Sequence, residues 1–389
     1  MQEWPLTGLN LQRVRGSGWR ATPMNQFVLK LVGPCNLACD YCYVYTGADL
    51  SWRERPVTMS RAVLEATARR IAEHAREHAL NGVSIVLHGG EPLMAGAALL
   101  AEAAVIMRES VPTSVTVSIS VQTNGVLLDN RILDVCRDHS LRIGISLDGD
   151  QAHHDAHRRY QDGRGSYELT VAGLRRLLAP AYRDLFSGLL CTINLSNDPL
   201  AVYDSLLRFD PPVIDFLLPH GTWSSPPPGR QADTKTPYAD WLITIFNRWA
   251  AAPTSEVEVR LFTEIIRVIL TGTSRSDQVG LTPAAYLVID TDGSMQQVDI
   301  LKVAYPGAAE TGLTVLEHPI EAVFDHPAIV ARQLGIDGLS ATCRACRLAS
   351  TCGGGHYTHR YRPGTGFLNP SVYCADLEAL FDHVAASLT

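Results

Sequence analysis

Residues 26–42 read QFVLKLVGPCNLACDYC. The first seven, Gln26–Val32, read as a β-strand, and the strand runs directly into Cys35, Cys39 and Cys42 at C-x3-C-x2-C spacing. Three thiolates on one loop can hold three irons of a [4Fe–4S] cube and leave the fourth iron open. Soft thiolates suit iron–sulfur and zinc alike, so the ligands alone leave the metal open. A zinc ion would want a fourth ligand nearby; Asp40 is ill-placed for that, and His88 is distant in sequence.

Outward from this loop, strand-like and helix-like stretches alternate. Helices are expected over Ser60–Leu80, Gly96–Ser110, Asn130–His139, Tyr167–Leu178 and Ala239–Ala251. Ser60 is an N-cap candidate, with Val63, Leu64, Ala68, Ile71 and Ala75 on one face. Strands are expected over Val83–Leu87, Val115–Gln122, Leu141–Leu147, Leu185–Leu195 and Val213–Pro219; Val115–Gln122 has polar residues at every second position. This alternation implies βαβ units and a parallel sheet, here a partial (β/α)6 barrel, with the site at the C-terminal ends of the strands. The Pro/Ser/Gly-rich stretch Trp223–Thr236 reads as a loop, and a second break falls at Ala252–Thr254. A helix (Val259–Leu270) and a hairpin over Ala285–Val298, turning at Asp292-Gly293, come next, then a cysteine-rich tail. The expected domains are an N-terminal arm (1–24), the barrel (25–252) and the cysteine-rich domain (253–389).

The chain has 389 residues, net charge −7 and no Lys/Arg-rich block, which argues against binding nucleic acid through phosphate contacts. No run of 18 apolar residues and no signal-type segment is seen in the sequence. A cytoplasmic protein that does not engage a membrane is the expectation. Of the nine cysteines, three lie at 35–42 and four at 343–374. An odd total count in tight clusters, without an export signal, points to metal ligation rather than disulfides. Cys136 and Cys191 stand apart and read as buried thiols.

The second set, Cys343, Cys346, Cys352 and Cys374, is spaced C-x2-C-x5-C-x21-C. Four thiolates complete a closed [4Fe–4S] cube or a structural zinc site, and spacing does not choose between them. Gly353–Gly355 would let backbone N–H groups approach the sulfurs.

Three more segments lie at expected strand ends: Gly89-Gly90-Glu91-Pro92, Gln122-Thr123-Asn124-Gly125 and Ser146-Leu147-Asp148-Gly149, the last followed by His154-Asp155 and Arg158. With C-x3-C-x2-C and Tyr41, this ordered set resembles the radical S-adenosylmethionine (SAM) superfamily. The resemblance implies a SAM-binding [4Fe–4S] cluster on Cys35, Cys39 and Cys42. It implies SAM contacts from Tyr41, Gly89, Gly90, Glu91, Ser146 and Arg158. His88 and Gln122 face the barrel mouth by strand position and are candidate substrate contacts. Tyr41, Tyr43 and Tyr45 could stack on adenine or equally be core residues of the βα loop, the core reading being favoured for Tyr43.

The tail resembles the SPASM domain of radical SAM peptide maturases, which implies an auxiliary [4Fe–4S] cluster on Cys343, Cys346, Cys352 and Cys374. It departs from the seven-cysteine family pattern: His356 and Val298 stand where the family has cysteines. Two clusters in all are therefore expected, with His356 structural or solvent-facing. The stretches 59–96, 291–308 and 352–377 resemble FxsB-type maturases, several of which are cyclophane synthases. By that likeness the protein is an oxidoreductase acting on a ribosomally made precursor peptide. It would join an aromatic ring carbon to the β-carbon of a nearby residue through a 5′-deoxyadenosyl radical. Electrons would come from a flavodoxin or ferredoxin, and Asp299 is the candidate base. Alternatives are formylglycine-type oxidation, thioether formation, or a non-catalytic zinc protein folded around both cysteine sets.

Overall fold

The computed structural model describes residues 3–229, 236–252 and 257–388. Six βα repeats follow one another along the chain. Strands β1 (Gln26–Val32), β2 (Gly82–Gly89), β3 (Thr116–Thr123), β4 (Leu141–Ser146), β5 (Phe186–Thr192) and β6 (Val213–Leu217) are followed by helices Arg61–Glu77, Gly96–Ser110, Asn130–Asp138, Tyr167–Leu177, Pro199–Leu207 and Pro237–Ala250. This is the expected α/β alternation, with a cysteine-rich C-terminal part. Sequence reading passed over helices Leu11–Gly16, Gln151–His157 and Pro199–Leu207. They are too short for periodicity to register. The loop expected over Trp223–Thr236 is irregular as far as Gly229, while 230–235 and part of the Ala252–Thr254 break lie outside the described residues.

The chain divides into two compact units. One comprises Pro23–Leu190 and Ala285–Val323; the other comprises Met1–Thr22, Cys191–Ala284 and Phe324–Thr389. These bounds differ from the expected domains, and strand pairing is the reason. The hairpin β8 (Tyr286–Ile289) and β9 (Ser294–Gln296) turns at Gly293, whose φ of +87° is the left-handed region that favours glycine. β8 lies parallel to β1, so the hairpin joins the barrel sheet rather than the tail. In this unit the strand order is β10 (Glu310–Thr314), β9, β8, β1, β2, β3, β4, β5.

In the second unit β6 pairs in parallel with β7 (Glu258–Val259), and the helix after β6 is tied to the C-terminal helix Cys374–Ser387. Asp376 there accepts hydrogen bonds from the N–H groups of Tyr238 (2.9 Å) and Ala239 (3.2 Å). The N-terminal arm also belongs here: the Phe367 N–H donates to the Trp4 carbonyl, and Arg15 pairs with Asp325.

Alternation along the strands sorts apolar from polar. Leu29, Leu31, Ile85, Leu87, Ile119, Val121, Ile143 and Ile145 are buried beneath the helices. Burying one such side chain stabilises by about 1.5–3 kcal/mol. The helix Arg61–Glu77 starts as expected, with the Ser60 hydroxyl accepting from the Val63 N–H, and it buries Val63, Leu64, Ala68, Ile71 and Ala75. The opposite strand face carries the polar residues. Lys30 is in register with His88, and Gln122 with Gly144.

Candidate active site

The loop after β1 meets the loop after β2 at contact distance. The Gly90 N–H donates to the Val32 carbonyl (2.9 Å) and the Glu91 N–H to the Pro34 carbonyl (3.2 Å). A Cβ on Gly89 would lie 2.1 Å from Val32 O, and one on Gly90 would lie 1.9 Å from Tyr45 Oη and 2.2 Å from Pro34 O. The glycine pair is thus required by the cysteine loop itself.

Glu91 is buried and its carboxylate is committed to the scaffold. It accepts from the Thr123 hydroxyl (2.6 Å), the Asn124 N–H (2.8 Å) and the Leu93 N–H (3.0 Å). Burial raises its pKa, and these donors work the other way. The Asn124 side-chain amide donates to Asn36 Oδ1 (2.8 Å) and lies 3.8 Å from Cys35 Sγ. Glu91 and Asn124 therefore knot together three of the four motif loops. Sequence reading quoted Asn124 within its motif but gave it no role.

The fourth loop carries a second knot. Tyr41 donates to Asp148, and Arg158 donates to Tyr41 Oη at 2.8 Å. Arg158 is 9% exposed, which rules out a solvated surface charge. Burial works against its charge, but Tyr41, Asp148 and Cys39 outweigh that and raise its pKa. His154 shares a 3.0 Å hydrogen bond with the Ser166 hydroxyl, which in turn donates to the Arg158 carbonyl (2.7 Å). Burial, helped by Arg158, pushes His154 down to about 2, so it stays neutral. Asp155 accepts from the Tyr167 N–H at 2.9 Å. His154 and Asp155 are thus scaffolding that aims Arg158. Ser146 accepts from the Gln122 amide at 3.1 Å.

Next to the cysteine loop lies a buried charge cluster that sequence reading identified only through Asp299. Lys30 Nζ is 2.7 Å from Asp299 and 3.0 Å from Asp290. Burial alone would lower the Lys30 pKa; the two carboxylates overcome this and raise it. Arg55 sits 3.4 Å from Asp290 and pairs with Asp292 and Glu310. Lys302 is fully buried, and its pKa is lowered, first by burial and then by Lys30. Asp299 acts electrostatically on His88, Cys42, Tyr43 and Tyr45, so it stands beside the cysteine loop. Burial lowers the His88 pKa, with Asp299 opposing. The lysine inside the otherwise apolar QFVLKLV was the available signal for this cluster.

Burial pushes the Cys35 thiol up to about 12 and Cys39 to about 11, and raises Cys42 as well. Such thiols ionise when they bind a metal. One tetrahedral zinc ion would hold its sulfurs about 3.8 Å apart. Among the described residues, neither cysteine set brings three donor atoms within 4.8 Å of one another.

In the other unit, burial pushes Cys352 up to about 11, and the Gly354 N–H works the other way. The Leu348 N–H approaches Cys346 Sγ at 3.4 Å. The expected backbone donors to sulfur are therefore present. Gly353, Gly354 and Gly355 all have positive φ, and their three carbonyls accept from the single guanidinium of Arg360. His356 is buried rather than solvent-facing. Its ring lies 5.9 Å from that of His220 and 5.1 Å from that of His359, and its Nε2 is 3.5 Å from Asp277. Cys136 and Cys191 are buried, as expected.

Comparison with known proteins agrees with this geometry: the model of the Radical SAM superfamily matches residues 30–198. Residues 30–198 are a radical SAM domain. The serine-type anaerobic sulfatase-maturating enzyme of Klebsiella aerogenes is 27% identical over 350 residues, covering 89% of this chain and 83% of that protein. The structure of anSMEcpe with bound AdoMet superposes with a TM-score of 0.79 at 20% identity, covering 94% of this chain and 98% of the other. Streptococcus suis SuiB bound to precursor peptide SuiA gives 0.60 at 13% identity, covering 93% and 78%. Among the described residues, no helix is long and apolar enough to cross a membrane.

Proposed function

We propose that this chain is a radical SAM maturase of a ribosomally made peptide. Its product is a carbon–carbon crosslink between an aromatic ring carbon and the β-carbon of a nearby residue. The observation that carries the reading is Asp299: a buried carboxylate beside the cysteine loop, paired with Lys30 and facing His88. When bound, SAM and the reduced cluster supply a 5′-deoxyadenosyl radical.

The remaining work falls to the protein. Arg158, Tyr41 and Ser146 hold SAM, while Glu91 and Asn124 fix the loops around it. Gln122, anchored to Ser146, and neutral His88 line the strand face where the peptide lies. Lys30 holds Asp299 in place at 2.7 Å, and Asp299 accepts the proton that an aromatic ring or an oxidised side chain must release. The second oxidation step needs an electron acceptor, and the second cysteine set would hold a cluster suited to that. A flavodoxin or ferredoxin supplies the first electron. Half-buried Val298, directly before Asp299, leaves that position without a ligand side chain, which supports a bulky aromatic substrate there.

A second reading is formylglycine-type oxidation of a serine or cysteine. The serine- and cysteine-type sulfatase-maturating relatives favour it, and Asp299 would serve as base there too. Anaerobic co-expression with a peptide encoded beside the gene, followed by tandem mass spectrometry, separates the two. Loss of two hydrogens with fragmentation blocked between an aromatic and a nearby residue supports the crosslink. An aldehyde on one serine or cysteine, trapped by hydroxylamine, supports the second reading. An unmodified peptide during active SAM cleavage counts against that peptide as substrate.

A further inference from the structure

Residues 71–80 read IAEHAREHAL, which spaces His74 and His78 four apart, on neighbouring turns of one helix face. The structure brings Glu321, from the turn Ile320–Asp325, onto the same face. His74 Nδ1 lies 2.5 Å from Glu321 Oε1, and His78 Nε2 lies 3.5 Å from that oxygen. The two imidazole rings are 4.5 Å apart. Among the described residues this is the one group of three or more His, Cys, Asp or Glu donors drawn within 4.8 Å of one another.

The other nitrogen of His74 decides what the group does. Nε2 lies 3.0 Å from the Met24 carbonyl, which can only accept, so Nε2 carries the proton. In neutral His74 the lone pair of Nδ1 then faces a carboxylate oxygen. Two acceptors at that distance require something positive between them. A proton shared between them is one such charge. A divalent cation is the other: replacing that proton and drawing the two donors apart to its own coordination distances, it takes the Nδ1 lone pair, the carboxylate and the second imidazole together. A ligating imidazole whose far N–H is bonded to a backbone carbonyl is the arrangement that fixes tautomer and orientation at metal sites.

We propose that His74, His78 and Glu321 form a transition-metal site, matched by two imidazoles and one carboxylate to Zn²⁺. The ion clasps the helix Arg61–Glu77 to the turn Ile320–Asp325, and through Met24 to the chain leading into β1. Glu77, between the two histidines, is exposed and lies outside the donor group. The site therefore holds a metal but has no positioned base for hydrolysis. It stands at the start of β1, the opposite end from the cysteine loop.

The test uses anaerobic, cluster-loaded protein equilibrated with zinc and then freed of loosely bound metal by a mild chelator. His74 is buried, so the variants are His78→Ala and Glu321→Gln, at half-buried positions. Metal analysis is expected to find one more zinc per chain in the parent than in either variant, with equal iron in all three. Zinc is expected to raise the melting temperature of the parent alone. Equal zinc content in parent and variants overturns the proposal. So does a stability gap between parent and Glu321→Gln that zinc leaves unchanged, which would assign the contact to a proton.

Discussion

Lys30 and Asp299 form a buried ion pair, 2.7 Å apart, between a residue of the first barrel strand and the residue that follows the β8–β9 hairpin. Removing the cation would strand Asp299 and Asp290 in a dry setting. Lys30→Met is expected to destabilise the protein by roughly 3–5 kcal/mol, the usual result of breaking a buried pair from one side. Chemical denaturation of the cluster-loaded protein measures it.

Asp299→Asn separates positioning from proton transfer. It keeps the shape beside Lys30 and removes the base. SAM cleavage to 5′-deoxyadenosine is expected to continue while modified peptide falls by about 100-fold or more, within the usual range for a general base. Equal losses in both products would assign Asp299 a structural role.

Gly90→Ala tests the contact between the first two motif loops. Its methyl group would meet Pro34 O at 2.2 Å, a backbone atom with little room to yield. Overpacking of this kind costs about 1–3 kcal/mol. SAM affinity, read by equilibrium binding, is expected to fall by about tenfold or more, since 1.4 kcal/mol corresponds to a factor of ten.

Acid sensitivity follows from the buried histidines. Burial depresses His154 to about 2 and His220 to about 4, against an unfolded value of 6.5. The unfolded chain then binds protons that the folded chain refuses. The stability contribution is complete above pH 6.5 and is lost as pH falls, through about pH 4 for His220 and further for His154. Each group contributes a slope of about 1.4 kcal/mol per pH unit. Melting temperature is expected to drop from pH 7 to pH 5, and His154→Gln is expected to flatten that profile.

The two cysteine sets should come apart under mutation. Cys39→Ser is expected to remove roughly four irons and abolish SAM cleavage. Cys374→Ser is expected to remove a similar amount of iron and leave SAM cleavage measurable. Iron analysis with 5′-deoxyadenosine quantification checks both.

Local chemistry was readable from residue order, and long-range partnership was not. The strand Gln26–Val32 and the helix Gly96–Ser110 fall at their expected bounds, because apolar period and capping are local properties. The hairpin turn at Asp292-Gly293 was equally legible. Its attachment to β1 was not, since nothing within Tyr286–Ile289 states which strand it will join. Motif order singled out Gly89, Gly90, Glu91 and Arg158, which the fold places in the loops that follow β2 and β4. That Gly90 yields to Tyr45, and that Glu91 binds Asn124, are facts of packing between distant segments. His74 and His78 were visible as a spacing, but Glu321 lies more than 240 residues away.

Arg360 gathers the carbonyls of Gly353, Gly354 and Gly355 under one guanidinium. Three successive residues at positive φ are costly to order, and this clamp offsets part of that cost from within the chain. The shape of the second sulfur cradle thus belongs to the polypeptide. Damage to the cluster by oxygen would leave a receptacle rather than a collapsed loop, and repair becomes a matter of refilling.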